Sequence, residues 1–305
     1  MNIRILMPMM AAFSFSCTAA PEQPVEVGKV DWQRDLDTAL ASSKDSGKPV
    51  FALFQEVPGC AGCKQFGKNV LSDPLVVDAI ENEFTPLLIH NNQPGKDAEI
   101  LKRFNEPAWN YQVVRFLDSK GNDLIPRKDK VWTTAPLVDR MIRSLDKAKR
   151  SVPRYLSILE AEQSPGFKTA AFSMHCFWTG EMKLGQIEGV VSTEAGFIGS
   201  HEVTLLKYDP RTIKLNKLVA AAGKIDCADT AYVPQSDLPL IPGGKVLTGY
   251  RRAPESDQKK QLSGTNASDL GLTPAQSTKL NAWLHMKPQL AAQYLSPPQR
   301  AAFRR

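Results

Sequence analysis

Four cysteines carry the chemistry that this chain can be read for. Cys60-Ala61-Gly62-Cys63 follows an apolar run, 50–54, and a Pro58-Gly59 turn, and it continues into an amphipathic stretch. A short buried strand, a tight turn and a helix that starts at Cys60 would follow from that pattern. A thiol at a helix N-terminus faces unpaired amides and the positive end of the macrodipole, which favour the thiolate over the ordinary thiol of pKa about 8.5. Cys63, one helical turn on, is placed to resolve a mixed disulfide formed at Cys60. Two other uses compete with this redox reading. A zinc site would need a second CxxC or a close pair of histidines, and neither stands near Cys60 and Cys63, so no metal is expected. A static structural disulfide is the other. Cys176 again stands where a strand-like stretch, 168–174, turns into a helical one, 177–186. Phe177 and Trp178 beside it offer apolar walls, which suit a thioether-like group better than a charged one. Cys227 is left over, and counting pairs it with Cys176, as a permanent bridge or as the thiol that resolves Cys176.

The elements that must position these residues are legible in outline. A helix is expected over 31–44 with Asp31 as its cap, and another after Asp73-Pro74, where proline suits the first turn. Strands are expected over 86–90 and 113–117, the latter followed by a turn at 119–122 and a hairpin partner at 123–126. Helices over 97–104, 135–149 and 153–162 complete a three-layer α/β unit. Gln163-Ser164-Pro165-Gly166 marks a boundary by composition. Beyond it, strands at 168–174, 189–197 and 202–208 alternate with helices at 177–186 and 212–223, the start of a split βαβ, α+β unit. A last strand is expected at 245–250. The polar stretch 253–268 reads as a linker, and Thr273-Pro274 opens a helical C-terminal tail.

Two families share these motifs. Residues 31–159 resemble thioredoxin-like proteins, in particular a secreted branch with a VPG turn before its redox residue, here Val57-Pro58-Gly59-Cys60. The run 71–89 and the strand-turn 113–122 resemble that family too. Where thioredoxins place a cis-proline facing the CxxC, this chain has Gln112. Residues 168–223 resemble the class A peptide methionine sulfoxide reductases. Their GCFWGxE is matched by His175-Cys176-Phe177-Trp178-Thr179-Gly180-Glu181, their next strand by 189–199, and their third by 200–210. That resemblance implies Cys176 as the nucleophile on the sulfoxide sulfur, Phe177 and Trp178 as the methyl pocket and Glu202 as the acid that protonates the oxygen. Glu181 matches a helix residue with a structural role. The family's insert between its second and third strands is absent, since only Gly199-Ser200 separates Ile198 from His201. Its later NDxGxQYR block is not recognisable.

The expected organisation is an export signal over 1–20, a tether over 21–30, a thioredoxin-like domain over 31–162, a reductase-like domain over 167–252, and a linker with helical tail over 253–305. The signal rests on Arg4, the apolar residues after it and the small residues that follow. Cys17 falls where a lipoprotein cysteine would; cleavage after Ala19 or Ala20 is the alternative. The chain has 305 residues, 42% hydrophobic and 23% charged, with a net charge of +6 that forms no basic stripe interleaved with aromatics, so nucleic acid is not an expected partner. Together these features describe an exported thiol redox protein without a cofactor. It would act on oxidised methionine in proteins or peptides, draw on a thiol reductant, and be anchored to a membrane through Cys17 where that residue is lipidated. The rivals are an oxidoreductase for protein thiols whose second domain is a non-catalytic module, and a metal chaperone or thiol sensor.

Overall fold

The computed structural model describes residues 23–108 and 112–305. The first unit contains α1 (Leu36–Ser46), β1 (Val50–Gln55), α2 (Ala61–Asn69), α3 (Pro74–Glu83), β2 (Thr85–His90), α4 (Lys96–Arg103), β3 (Gln112–Leu117), β4 (Lys128–Asp129), α5 (Thr134–Lys147) and α6 (Arg154–Gln163). Its sheet has the order β2-β1-β3-β4, with β1 parallel to β2 and antiparallel to β3. Every residue of β1 and β3 is buried. The period-two alternation of a strand explains how one run serves two cores. Phe51 and Leu53 pack with Phe66, Ile80 and Leu137 on one face, while Val50, Ala52 and Phe54 pack with Leu36, Ala39 and Leu101 on the other. The three-layer α/β arrangement follows.

Three local expectations shift. Helix α1 is capped by Asp35, which accepts from Thr38 N, rather than by Asp31. The residues before it are held extended, because Gln33 exchanges backbone hydrogen bonds with Pro86 and Leu88 at the β2 edge. The backbone of β3's hairpin partner pairs with it by the Leu117–Asp123 bridge and a Leu124 N to Phe116 O bond before regular pairing at β4, since Pro126 has no N–H to extend the ladder. The stretch 21–30 is not a bare tether where it is described. A 3-10 turn, Val25–Val27, lies on α2, and Val27 and Val30 enter the core.

The second unit contains β5 (Lys168–Ser173), α7 (Phe177–Gly185), β6 (Val190–Ile198), β7 (His201–Tyr208), α8 (Leu215–Lys224), β8 (Thr230–Val233), β9 (Lys245–Val246) and β10 (Tyr250–Arg252). Its sheet runs β10-β6-β7-β5-β8-β9. Strand β7 lies between β5 and β6, and β5 lies between β7 and β8, so both βαβ crossovers are split, as the α+β reading requires. Strand β8, hidden in turn-rich text, completes the central four. The expected last strand, 245–250, divides into β9 and β10 at opposite edges.

The stretch 253–268 is packed rather than loose. It forms short 3-10 turns at Glu255–Asp257, Lys260–Leu262 and Ala267–Leu270. The tail follows as α9 (Pro274–Trp283), α10 (Pro288–Ala292) and α11 (Pro297–Ala302). Helix α9 buries residues on all sides because it lies against α7, β6 and α6. The Thr278 hydroxyl accepts from Thr193 N at 3.0 Å, and Glu162 accepts from Ala275 N at 3.2 Å. Beyond α9, Ser296 bonds Asp78 on α3 and Arg154 bonds Gln293. The tail therefore holds on to both sheets' surroundings. No helix among the described residues is long and apolar enough to cross a membrane. The expected signal over 1–20 and Cys17 lie outside the described residues.

Two candidate thiol sites

The first site begins where β1 ends. The loop 56–59 contains a cis peptide at Val57-Pro58 and is held from two sides. Asn92 Oδ1 accepts from Val57 N at 3.1 Å, Asn92 Nδ2 donates to Pro58 O at 3.1 Å, and Gln93 Nε2 donates to Val57 O at 3.1 Å. From the other side Glu26, only 4% exposed, accepts from Gly59 N at 2.9 Å. The buried Gln55 side chain donates to Glu26 O and fixes that turn in place. Cys60 is the N-cap of α2 with an extended backbone, and its side chain makes no capping hydrogen bond. Its sulfur is thus presented at the helix end, half-buried, while Cys63 is fully buried one turn along. The two sulfurs are 3.4 Å apart. Burial, and then the neighbouring Cys60, push the Cys63 thiol up to about 12. Trp132 packs edge-on against Phe66 at 6.2 Å between centroids and lies over Gly62.

Two residues of this site have no local sequence signal. Glu26 sits in the stretch read as a tether. Glu56, half-buried, brings a carboxylate oxygen to within 4.8 Å of both sulfurs. Gly67 is the one local clue, because a helical glycine in an amphipathic run implies a close approach. A Cβ there would lie 1.9 Å from Val25 O.

The second site is built by the same device. Strand β5 ends at Ser173, and Cys176 is the N-cap of α7 without a side-chain capping bond. The missing cap is supplied from β7. Glu202 Oε2 accepts from Phe177 N at 2.8 Å, and Glu202 O accepts from Met174 N at 3.2 Å. The structure therefore brings Glu202 to the residue after Cys176. Phe177 is buried in a small cluster with Ala195 and Ala253, edge-on to Phe197 at 5.4 Å and tilted to Trp178 at 6.1 Å. Trp178 Nε1 is buried with no hydrogen-bond partner among the described residues. Gly180 lets α7 approach β5 and β7, since a Cβ there would lie 1.9 Å from Met174 Sδ and 2.4 Å from Thr204 Oγ1.

The segment 253–262 lies over this cluster. Gln258 bonds the backbone of Ala195 in both directions, at 3.0 Å and 2.9 Å. Lys259 donates from its backbone N to Glu181 at 2.7 Å and forms an ion pair with it through Nζ. Lys260 Nζ stands 4.7 Å from the Trp178 ring centroid. Glu181, fully buried, is thus structural in its contacts: it anchors a segment 78 residues away. His175 and His201 are exposed.

Cys227 lies after α8, 1% exposed, in the core that also contains Met174 and Leu184. Its Sγ points to Ile225 O at 3.4 Å, and burial pushes its thiol up. The loop after it reaches the same end of β5 that leads to Cys176, because Asp229 N donates to Ser173 O at 2.9 Å. Cys176 and Cys227 are not bonded to each other, and Cys176 is the more accessible of the two.

Each unit thus places a cysteine at the N-terminus of the first helix after a central strand, the arrangement of a thiol-reactive protein. Comparison with known proteins finds relatives of two kinds. A family model described as thioredoxin-like matches residues 31–119. The first unit is a thioredoxin-like domain. The chain is also similar to the peptide methionine sulfoxide reductase MsrA of Rhodospirillum centenum, 37% identical over 71 residues, covering 18% of this chain and 32% of that protein. It is similar to MsrA 1 of a Synechocystis species, 32% identical over 78 residues, covering 20% of this chain and 35% of that protein. The thiol:disulfide interchange protein DsbD of Cronobacter sakazakii is 33% identical over 90 residues, 30% of this chain and 15% of that protein. The chain spans about a third of the length of these two reductases. Among solved structures, the DsbH oxidoreductase matches at a TM-score of 0.34 with 18% identity, covering 45% of this chain and 95% of that one.

Proposed function

We propose that the protein is an exported thiol oxidoreductase in which a thioredoxin-like dithiol serves a peptide methionine sulfoxide reductase-like site. The observation that carries this reading is the Glu202 carboxylate, bonded to the first amide of α7 beside Cys176. Disulfide exchange has no use for an acid there, whereas sulfoxide reduction needs one. The Cys176 thiolate attacks the sulfoxide sulfur and Glu202 protonates its oxygen; the hydroxyl then passes to the Cys176 sulfur as the new sulfur–sulfur bond breaks, which leaves a thioether and a sulfenic acid on Cys176. Phe177 and Trp178 wall the methyl group. A second thiol then condenses with the sulfenic acid, releases water and leaves a disulfide. Cys227 is the thiol in this chain assigned to that step. Cys60 attacks the resulting bridge, Cys63 attacks Cys60, and the Cys60–Cys63 disulfide is reduced by an external dithiol that supplies two electrons.

The test is turnover of a methionine sulfoxide peptide by the whole protein with dithiothreitol. Cys176→Ser abolishes turnover and Cys60→Ser leaves the dithiothreitol-driven reaction in place. Absence of turnover in the native protein overturns the reading. One observation favours the rival, in which the second domain only binds partners of a protein-thiol oxidoreductase. The segment 253–262 covers the aromatic cluster, with Ala253 inside it and Lys260 over Trp178. Under that reading Cys176→Ser would leave all disulfide exchange unchanged and no sulfoxide would turn over.

A further inference from the structure

The dithiol site holds a third group of metal-ligating chemistry. A Glu56 oxygen, Cys60 Sγ and Cys63 Sγ all lie within 4.8 Å of one another. We propose that the reduced site binds a thiophilic divalent cation of the zinc type through these three side chains, with one coordination position left open.

The spacing fits such an ion with small movements. Zinc takes sulfur at about 2.3 Å and carboxylate oxygen at about 2.0–2.2 Å in a tetrahedral shell, which puts two sulfurs about 3.8 Å apart and a sulfur and an oxygen about 3.5 Å apart. The sulfurs stand 3.4 Å apart, so they open by a few tenths of an ångström. The carboxylate closes by a side-chain rotation, which a half-buried glutamate can make. The backbone beneath the site is already fixed. Glu26 holds Gly59, Asn92 holds Val57 and Pro58, and Cys60 begins α2, so little ordering remains to be done on binding.

Charge also favours the cation. Binding displaces the thiol protons to solvent; the two thiolates and carboxylate so formed carry three negative charges, the divalent ion reduces them to one, and the α2 N-terminus faces what is left. Sulfur ligands select against magnesium and calcium. Three protein ligands and an open position match reactive rather than closed structural sites. The same two sulfurs cannot hold both an ion and a disulfide, so the cation would keep the dithiol reduced and inactive in exchange until it is removed. The ion touches neither Cys176 nor Glu202, so its binding is read independently of sulfoxide turnover driven by dithiothreitol.

Cobalt(II) titrated anaerobically into the reduced whole protein is the probe. The expected result is saturation at one equivalent, with thiolate-to-cobalt charge transfer and the d–d bands of a tetrahedral centre. Glu56→Gln weakens binding by at least about 10-fold, the lower range for loss of a group supporting a metal site. Its thermal melt in the absence of metal must match the native protein, and Glu56→Asp serves as a second variant if it does not. In parallel, zinc blocks alkylation of Cys60 and Cys63, read cysteine by cysteine by peptide mass spectrometry, and EDTA restores it. Equal cobalt affinity in native protein and both Glu56 variants overturns the three-ligand site. Saturation with no protection of Cys60 and Cys63 places the ion elsewhere and overturns it too, as does the absence of stoichiometric binding.

Discussion

Glu202 offers a perturbation that separates chemistry from structure. Its carboxylate does two things at once: it caps Phe177 N at 2.8 Å and, in the proposed mechanism, delivers a proton. Glu202→Gln keeps an acceptor oxygen of the same reach and loses the proton and the charge. Only the charge-assisted part of the cap is lost, about 0.3–1 kcal/mol for an anion at a helix N-terminus. Glu202→Ala removes the cap altogether and leaves the amide without its partner, at about 0.5–2 kcal/mol. The two variants therefore differ modestly in stability. In turnover they should be alike. Loss of a positioned general acid costs about 10²–10⁴-fold, or about 2.7–5.5 kcal/mol in the barrier. The assay is reduction of a methionine sulfoxide peptide under dithiothreitol, with insulin disulfide reduction as the measure of the Cys60/Cys63 site and calorimetry as the measure of folding. The expected outcome is a large fall in sulfoxide turnover for both variants, unchanged disulfide reduction, and a melting transition lowered more by Glu202→Ala than by Glu202→Gln. Glu202→Gln turning over sulfoxide within about tenfold of native would show that the residue is a cap and nothing more. Parallel loss of both activities would point to a folding defect.

Four further outcomes follow from the geometry. With chelator present, iodoacetamide at mildly acidic pH should modify Cys60 well before Cys63; the reverse order would exchange their assigned parts. Because burial raises the folded-state pKa of Cys63 to about 12, the unfolded chain ionises first as pH rises past the ordinary thiol value near 8.5. The reduced protein should therefore lose stability from about pH 8.5 upward in urea melts, with Cys227 acting in the same direction, and Cys63→Ala should lose less. Gly67→Ala would set a Cβ 1.9 Å from Val25 O, so it should cost about 1–3 kcal/mol and loosen Glu26 from the Cys60 loop. A variant as stable as native would mean that Val25–Val27 does not pack on α2. Lys259→Met leaves the buried Glu181 carboxylate without its cation, at about 3–5 kcal/mol, and limited proteolysis should then cut within 253–262. Resistance to cleavage there would show that the ion pair does not fasten the segment.

Signals local in sequence were legible and distant ones were not. The apolar run before Cys60 and Asp73-Pro74 each specify an element within a few residues, and β1 and α3 lie where they indicate. Placing Cys60 and Cys176 at helix starts needed only the strand-to-helix change of period. Glu202 was reached through resemblance, and its contact with Phe177 depends on the register of β5 against β7. Glu26 meets Gly59 across 33 residues and Glu181 meets Lys259 across 78, and no periodicity announces such pairs. Polarity misled at 253–268. A polar segment that satisfies its hydrogen bonds against a sheet edge has the composition of a linker, and Gln258 and Lys259 differ from linker residues only in what they touch. Asp31 and Asp35 are equally good caps in sequence, and the edge of β2 decides between them.

The two sites share one way of presenting a thiol and differ in how they can be discharged. At the first, the second sulfur is on the same helix, 3.4 Å from its partner, so oxidation closes a bridge with little backbone movement. At the second, the remaining thiol belongs to Cys227, buried among Met174, Leu184 and Ala222 on a chain segment that reaches Cys176 only through the end of β5. For a Cys176–Cys227 bridge to form, the turn between α8 and β8 must come out of that core, and the apolar packing around Cys227 resists this. Under the proposed mechanism, recycling through Cys227 would be gated by local opening, whereas recycling by an outside thiol would be gated by access to the half-buried Cys176. The tail tightens the same constraint. Its bonds to Asp78, Arg154 and Glu162 on one unit and to Thr193 on the other fix how the two units sit. A dithiol held in that way does not benefit from the high effective concentration of a flexible tether. Under the proposed relay, transfer from Cys60 to the second site within one chain gives a rate independent of protein concentration, and transfer between copies gives a rate that rises with it.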